Sequence, residues 1–114
     1  MFDTVVYVAG PYRAATREQV QANIDRALVA GQRLWRMGYV AVVPQANSQH
    51  FEGQDWWYLH GYIGLLRRCN AIYVLKDSEN SKGTQAEVIE ARVQDMPVYH
   101  EGINEPPDMT GGLQ

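Results

Sequence analysis

Four short, β-rich apolar runs alternate along the chain with three segments whose apolar residues recur at helical spacing. The runs cover residues 4–9, 39–43, 71–75 and 96–100. The first run is mostly apolar on both sides of its alternation, as expected of a central strand in a parallel sheet. The alternation of strands and helices predicts an α/β fold, with a parallel sheet of about four strands and helices on both of its faces.

The first helical segment carries signals for both of its ends. Thr16 followed by Gln19 fits a capping box at its start. The apolar positions continue to Trp35, and Gly38 is placed to end the helix. Two further helices are predicted at residues 55–68 and 82–94, and loops are predicted at residues 45–54 and 76–80.

Right-handed crossovers make 2-1-3-4 the expected strand order, which is a three-layer, flavodoxin-like (Rossmann-like) arrangement. The topological switch point then lies between the first and third strands, beside Gly10 and the loop before Ser81. A single domain is expected over residues 1–100. The tail at residues 101–114 is rich in proline and glycine, which indicates a flexible or partner-bound end.

Charge and composition argue against several classes of function. A net charge of −3 and a pI near 5.5 disfavour non-specific binding of a nucleic-acid polymer, which needs a basic face. Cys69 is the only cysteine, so we expect a small core residue rather than a disulfide or a cysteine-based metal site. The spacing of His50, His60 and His100 suggests no metal site either. No apolar run approaches the roughly 20 residues of a membrane span, and no signal sequence is recognisable, so a cytoplasmic protein without a membrane partner is expected.

The first strand runs into a glycine turn in the motif VVYVAGPYR at residues 5–13. Only Gly10 of a dinucleotide-binding fingerprint is present, so neither NAD nor FAD, nor any other cofactor, is expected. Gly10 allows the backbone to approach a ligand closely, and Arg13 suits a phosphate; alternatively, the turn is simply tight and Arg13 is solvated. Tyr7 needs a partner for its hydroxyl if it is buried. A carboxylate at Glu87 is one candidate, and the edge of the sheet is the alternative.

The motif SKGTQAE at residues 81–87 is typical of a helix start. Ser81 is a good N-cap, and the uncommitted amides beyond it form an anion site at the positive end of the helix dipole. Gly83 has low helix propensity, so its place in the first turn suggests that something packs close to the backbone. Glu87 shares a face with Gly83, from which its carboxylate could reach the pocket. Alternatively, Glu87 is a surface residue like Glu90.

Aromatic residues at the start of the second predicted helix are candidate contacts to a nucleobase. Trp56 and Trp57 could stack on a base, although helical spacing favours the core or a dimer interface for one of them. His50 and His60 flank this segment and could also touch a base, but solvated positions are the simpler interpretation.

Together, Y-x-A-G-P at residues 7–11, Arg13 and S-x-G-x-x-x-E at residues 81–87 resemble the nucleoside 2-deoxyribosyltransferase superfamily. The run LLRRCNAIYVL and the second motif look closest to its small, often phage- or prophage-associated members of the DUF4406 type. The resemblance covers about residues 4–98. It implies a flavodoxin-like fold, homodimers or higher homo-oligomers, and cleavage of the N-glycosidic bond of deoxynucleosides or their 5′-monophosphates.

The resemblance also implies roles for individual residues. Glu87 would be the nucleophile at the sugar C1′, and Tyr7 would orient it. Ser81 and Gly83, with Arg13, match positions that bind a 5′-phosphate. A carboxylate can trap an oxocarbenium-like centre as a covalent glycosyl intermediate, which water or a second base then resolves.

The chain departs from the family pattern at two positions. Asn70, a candidate catalytic residue, stands where family enzymes usually carry an aspartate at the start of the third strand, and Tyr62 stands where they carry another. Asparagine can donate a hydrogen bond but cannot give up a proton at neutral pH. Asp55, or water held by Tyr62, is a candidate substitute for the acid, and Trp57 is a candidate base contact.

These residues support three hypotheses. The first is a nucleotide N-glycosidase or deoxyribosyltransferase, with hydrolysis favoured because the motifs suggest a 5′-phosphate. The second is a catalytically reduced module that binds or senses a nucleotide. The third is a small dimeric scaffold with a vestigial pocket, which would bind no nucleotide.

Overall fold

The computed structural model describes residues 1–49 and 51–112 of the chain. Within these residues the elements are, in chain order, β1 (Val5–Ala9), α1 (Arg17–Arg36), β2 (Val40–Val42), α2 (Pro44–Asn47), α3 (Asp55–Leu66), β3 (Ala71–Val74), α4 (Lys82–Val93) and β4 (Val98–His100). None of the helices in the described part of the chain is long and apolar enough to cross a membrane.

The strands form one parallel sheet in the order β2-β1-β3-β4, which confirms the predicted order. Tyr7, in the middle of β1, is in register with Val42 of β2 and Ile72 of β3. Because all strands run the same way, the loops after β1, β2 and β3 meet at the carboxyl edge of the sheet. This is the edge at which such folds bind ligands.

Two apolar clusters lie on opposite faces of the sheet, as predicted for helices on both faces. One cluster joins Val6 of β1 to Leu34 of α1. The other joins Tyr7 to Leu66 of α3 and Val88 of α4. Since successive side chains of a strand point to opposite faces, this alternation turns Tyr7 towards α3 and α4.

The predicted signals of the first helix are confirmed at both ends. The Thr16 hydroxyl accepts a hydrogen bond from the Gln19 amide at 3.1 Å, which caps α1. After the helix, Gly38 has a φ of +96°, a left-handed conformation that favours glycine. A side chain at this position would also crowd Met1 and Met109.

The prediction of a loop over residues 45–54 is wrong at its start, because Pro44–Asn47 form the short helix α2. Proline fixes φ in the helical range and needs no donor at the first helical position, so Pro44 begins a turn of helix as well as ending a strand. The buried Gln45 side chain donates a hydrogen bond to the Gly10 carbonyl at 3.3 Å, which holds α2 against the end of β1.

The expectation of a flexible tail is wrong for residues 101–112, which pack against the domain. Glu105 accepts a hydrogen bond from the Tyr73 hydroxyl at 2.6 Å, and the Pro107 carbonyl accepts one from the Tyr39 hydroxyl, also at 2.6 Å. Both tyrosines belong to the cluster beneath α1, and a buried hydroxyl requires a partner. The tail supplies these partners although its composition forms no regular element.

Candidate functional site

A tyrosine and a glutamate pair on the face of the sheet covered by α3 and α4. The Tyr7 side chain is fully buried, and its hydroxyl donates a short hydrogen bond to Glu87 Oε2. Glu87 lies in the middle of α4 and is half-buried. The structure therefore makes the contact for which the sequence offered Glu87 as a candidate partner.

Burial determines the protonation of this pair. Loss of solvation raises the pKa of Glu87 from 4.5 to about 7, although the hydrogen bond from Tyr7 lowers it. Burial, and after it the charge of Glu87, raises the pKa of Tyr7 far above its ordinary value, so Tyr7 remains a hydrogen-bond donor. Glu87 thus exchanges between carboxylic acid and carboxylate near neutral pH, as expected of a reactive carboxyl group.

The start of α4 presents Ser81 and Gly83 at the carboxyl edge. Ser81 caps the helix, since its hydroxyl oxygen accepts hydrogen bonds from the Thr84 amide at 3.2 Å and from the Thr84 hydroxyl at 2.8 Å. A Cβ added to Gly83 would meet no atom of the described residues within 4 Å. The protein's own packing therefore does not require glycine here, and the first turn is open to an approaching group.

Gly10 has a packing reason of its own. A Cβ at this position would lie 2.6 Å from Leu75 Cδ1, so the turn after β1 must be glycine to pass the end of β3. Gly10 thus allows a close approach between the turn after β1 and Leu75, and this packing is enough to account for a glycine without a bound ligand.

Arg13 and Asp55, which the sequence assigned to separate roles, form an ion pair with each other. Arg13 lies beyond the turn after β1, and Asp55 begins α3. Their side chains are 71% and 75% exposed, so the pair contributes little to stability and is easily exchanged. In this arrangement the Arg13 guanidinium stands at the carboxyl edge with a carboxylate as its partner.

Tyr62 lies beside the Tyr7–Glu87 pair and takes part in contacts that the sequence did not reveal. Its hydroxyl accepts a hydrogen bond from Asn47 Nδ2 at 3.2 Å and donates one to Ser48 Oγ at 2.5 Å. Tyr62 packs against the apolar cluster that contains Tyr7, and it is near enough to contribute to the raised pKa of Tyr7. Asn47 and Ser48 come directly after β2. Ligand groups in parallel sheets lie beyond the ends of the strands, and this rule could have identified both residues. They were missed because the segment was interpreted as an irregular loop.

These side chains belong to an open groove of about 290 Å³ between α3 and the segment after β2. Its aromatic walls suit a planar ring, and its polar groups lie together on the wall after β2. The lining residues are Asn47, Ser48, Phe51, Tyr58, Gly61, Tyr62 and Leu65.

Asn70, the other residue predicted to be catalytic, lies directly before β3 and is held by β1. Asn70 Oδ1 accepts a hydrogen bond from the Val5 amide at 2.8 Å. Both residues lie where β1 and β3 begin, at the amino edge of the sheet. The physical reason is positional: a residue before a parallel strand lies at the opposite edge from the loops after the strands.

The remaining candidates lie outside the groove. Trp56 and Trp57 are 61% and 51% exposed, so neither lies in the core, and a dimer interface stays the prediction for one of them. Trp56 packs edge-on against Trp57 and His60, and the groove lining includes none of the three. His50 lies outside the described residues. Among residues 1–49 and 51–112, no group of three or more histidine, cysteine, aspartate or glutamate side chains could hold a metal ion.

Comparisons with known proteins agree with this architecture. The family model described as "Domain of unknown function (DUF4406)" matches residues 4–100. Among solved structures, the 2-deoxyribosyltransferase of the psychrotolerant bacterium Bacillus psychrosaccharolyticus superposes with a TM-score of 0.65 and 17% sequence identity. The superposition covers 84% of this chain and 70% of that chain. No curated protein matches the sequence.

Proposed function

The chain belongs to the DUF4406 family and has a nucleoside 2-deoxyribosyltransferase-like fold, and from this we propose that it cleaves the N-glycosidic bond of a nucleoside or deoxynucleoside 5′-monophosphate. The observation that carries the proposal is the Tyr7–Glu87 pair. The half-buried Glu87 has a pKa of about 7, and Tyr62, which packs on the apolar cluster that contains Tyr7, lines a groove of a size and lining suited to a base. The similar solved structure is a 2-deoxyribosyltransferase, so a glycosyl reaction on this fold has a precedent.

In the proposed reaction Glu87 is the nucleophile. Its carboxylate attacks the sugar C1′ as the base departs, which gives a covalent glycosyl intermediate. Tyr7 remains protonated and donates to one carboxylate oxygen, so it holds the other oxygen in a fixed direction. Water then attacks C1′ and releases the sugar phosphate, and Glu87 returns to its starting state.

A 5′-phosphate has a complementary site at the carboxyl edge. Arg13 supplies a positive charge, and Ser81 with the open first turn at Gly83 supplies hydrogen-bond donors at the positive end of the α4 dipole. Binding of a phosphate requires Arg13 to exchange Asp55 for the ligand, and the exposed ion pair offers little resistance. These groups favour hydrolysis of a nucleotide over transfer between free bases.

The first experiment is incubation with a panel of deoxynucleosides, ribonucleosides and their 5′-monophosphates, and then chromatography for the released base. Glu87→Ala and Glu87→Gln are expected to abolish release while the protein remains folded. Glu90→Gln is the matched control, since Glu90 lies on the same helix and pairs with Arg67 at the surface. Base release by Glu87→Ala at the wild-type rate would refute the role of Glu87.

A nucleotide-binding module without turnover is the second candidate. It is favoured by the position of Asn70 at the far edge and by the engagement of Asp55 with Arg13, which leave Glu87 without an evident second carboxyl group beside it. This candidate predicts that a 5′-monophosphate raises the melting temperature although no base is released. Release of base at a rate that depends on Glu87 would exclude it.

We also propose that the chain forms a homodimer or a higher homo-oligomer, as the resemblance implied. Leu28, Val29 and Trp35 are exposed on α1 at 43%, 69% and 46%, and exposed apolar groups of this kind often mark an interface. Light scattering coupled to size-exclusion chromatography measures the mass directly. A mass of one chain at micromolar concentration would contradict the proposal.

A further inference from the structure

Three polar side chains form a chain of hydrogen bonds, and its middle member, Tyr62, packs on the apolar cluster that contains Tyr7. The Asn47 amide donates to the Tyr62 oxygen, and the Tyr62 hydroxyl donates its single proton to Ser48 Oγ. Ser48 accepts that proton and keeps its own hydroxyl proton to donate. Among the described residues no hydrogen bond occupies this proton, and Ser48 lines the groove.

The chain of hydrogen bonds is also polarised. Each donor in a series strengthens the next, so the Ser48 hydroxyl is a better donor than an isolated serine. The 2.5 Å separation of the Tyr62 and Ser48 oxygens is at the short end for two hydroxyl groups. A ligand atom facing Ser48 would therefore meet a strengthened neutral donor.

We propose that the Asn47–Tyr62–Ser48 chain stabilises the departing base while its bond to the sugar breaks. This inference rests on the proposed function and assigns the leaving-group role to Tyr62 and Ser48, where the sequence had offered Asp55 or water. Asp55 is 75% exposed at the start of α3 and does not line the groove, whereas Tyr62 lines the groove and packs on the cluster that contains Tyr7. Through Tyr62, the hydrogen-bond chain thus connects the surroundings of Tyr7 to the lining of the groove.

The electrons and protons of the step balance without a second acid. A bond forms between a Glu87 oxygen and C1′, the C1′–N bond breaks, and its electron pair goes to the base nitrogen. The resulting negative charge is shared with the Ser48 hydroxyl through a hydrogen bond, and no proton leaves the chain. The water that later attacks C1′ gives its oxygen and one proton to the sugar, and its other proton goes to the base.

A neutral donor stabilises a leaving group less than a carboxylic acid that transfers a proton. This difference sets the substrate class: the site acts best on nucleotides whose base departs easily, either as a stable anion or because it already carries a positive charge. The rate should therefore rise steeply with the acidity of the departing base. Removal of the hydrogen-bond chain should matter most for bases that depart with difficulty.

The experiment compares two pairs of substrates that differ in the ease of departure. These are 2′-deoxyguanosine 5′-monophosphate with its N7-methyl derivative, and 2′-deoxyuridine 5′-monophosphate with its 5-fluoro derivative. Wild-type, Tyr62→Phe and Ser48→Ala proteins are assayed for kcat and KM on each pair. Tyr39→Phe is the control, because Tyr39 lies in the cluster on the opposite face of the sheet and donates its hydroxyl to the Pro107 carbonyl.

For each pair that the wild type cleaves, we expect Tyr62→Phe and Ser48→Ala to lower kcat about 100-fold on the unmodified nucleotide. This is the scale of the loss when one hydrogen-bond donor to a developing charge is removed. On the activated member kcat should stay within about 3-fold of the wild type, and KM should change little on both. Tyr39→Phe should preserve the wild-type ratio of the kcat values within each pair.

Two results would overturn the inference. The first is a loss of kcat that is equal on both members of a pair, or no loss on either, while base release still depends on Glu87. This result would overturn the leaving-group role and leave the proposed function standing. Absence of release from all four nucleotides by the wild-type protein would remove the reaction itself, and the inference would fail with it.

Discussion

A carboxyl group that is both reactive and half-buried is costly to the fold, and Glu87 illustrates the conflict at the scale of one residue. The same loss of solvation that raises its pKa to about 7 makes its ionised form unfavourable in the folded chain. Tyr7 offsets part of this cost by donating to the carboxylate. If Glu87 is the nucleophile that we propose, the site accepts a local loss of stability for its reactivity near neutral pH, as functional sites often do.

The stability of the protein should therefore depend on Glu87 in a predictable direction. Below about pH 4.5 the group is protonated in both states and costs nothing. As the pH rises towards 7, the unfolded chain ionises first, and the folded state loses on the order of 3 kcal/mol relative to it. Glu87→Gln removes this titration, so its melting temperature should exceed that of the wild type at pH 8 and approach it at pH 5.

Thermal unfolding at both pH values, with Glu90→Gln as a control, measures this effect. Glu90 is paired with Arg67, which lowers its pKa, so its replacement should give no gain at pH 8. A Glu87→Gln protein that is less stable than the wild type at pH 8 would contradict the assignment of a raised pKa.

At the scale of elements, the site is made by the segments that lie directly after the strands. The turn after β1 carries Arg13, the segment after β2 carries Asn47 and Ser48, and the loop after β3 leads to Ser81 at the start of α4. No element holds a complete site, and the parallel sheet brings the three loops together at one edge. Replacement of the N-cap residue of one helix should therefore show whether a loss of nucleotide binding comes from that residue or from lower stability of the whole protein.

Two capped helices provide the comparison. Ser81 caps α4 at the proposed phosphate site, and Thr16 caps α1. Replacement of either by alanine should cost about 1 kcal/mol of unfolding free energy, because each loses an N-cap hydrogen bond. Only Ser81→Ala should also weaken the binding of a 5′-monophosphate, measured by calorimetry against the corresponding nucleoside.

An equal loss of affinity in both variants would show that the effect passes through global stability rather than through the phosphate. Unchanged affinity in Ser81→Ala would remove Ser81 from the phosphate site.

Periodicity and strand-end logic were enough to predict the sheet order and the position of α4, and they offered Glu87 as one of two candidate partners of Tyr7, because each depends on local pattern and on parallel topology. The contacts of Tyr62 could not be predicted, because they depend on α2, a helix of only four residues. The proline that begins α2 is equally typical of the end of a strand. The catalytic role of Asn70 was carried over from a family position, and it stays a prediction. The fold depends on pattern alone, whereas the site also depends on the path of its loops.

The whole molecule shows how a small domain completes a core with residues outside its regular elements. Tyr73 is fully buried in β3, and its hydroxyl accepts a hydrogen bond from Arg33 of α1 but donates its own proton outside the regular elements. Glu105 of the tail accepts from it at 2.6 Å and pairs with Arg33 of α1 at 3.0 Å. The tail therefore acts as part of the domain, on the face of the sheet opposite to Glu87.

Loss of this contact should destabilise the protein without touching the site. Glu105→Ala removes the acceptor of the Tyr73 hydroxyl, and a buried hydroxyl that loses its partner costs about 1–3 kcal/mol. Ile103→Ala is the control within the same tail, because Ile103 is 84% exposed and its replacement should change stability by less than about 0.5 kcal/mol. Urea unfolding measures both variants.

Since Tyr73 faces α1 and Tyr7 faces α4, binding of a 5′-monophosphate should be unchanged in Glu105→Ala at temperatures where it is folded. Equal stability of the two variants would mean that the tail is not held by Glu105, and altered nucleotide binding would mean that the two faces of the sheet are coupled.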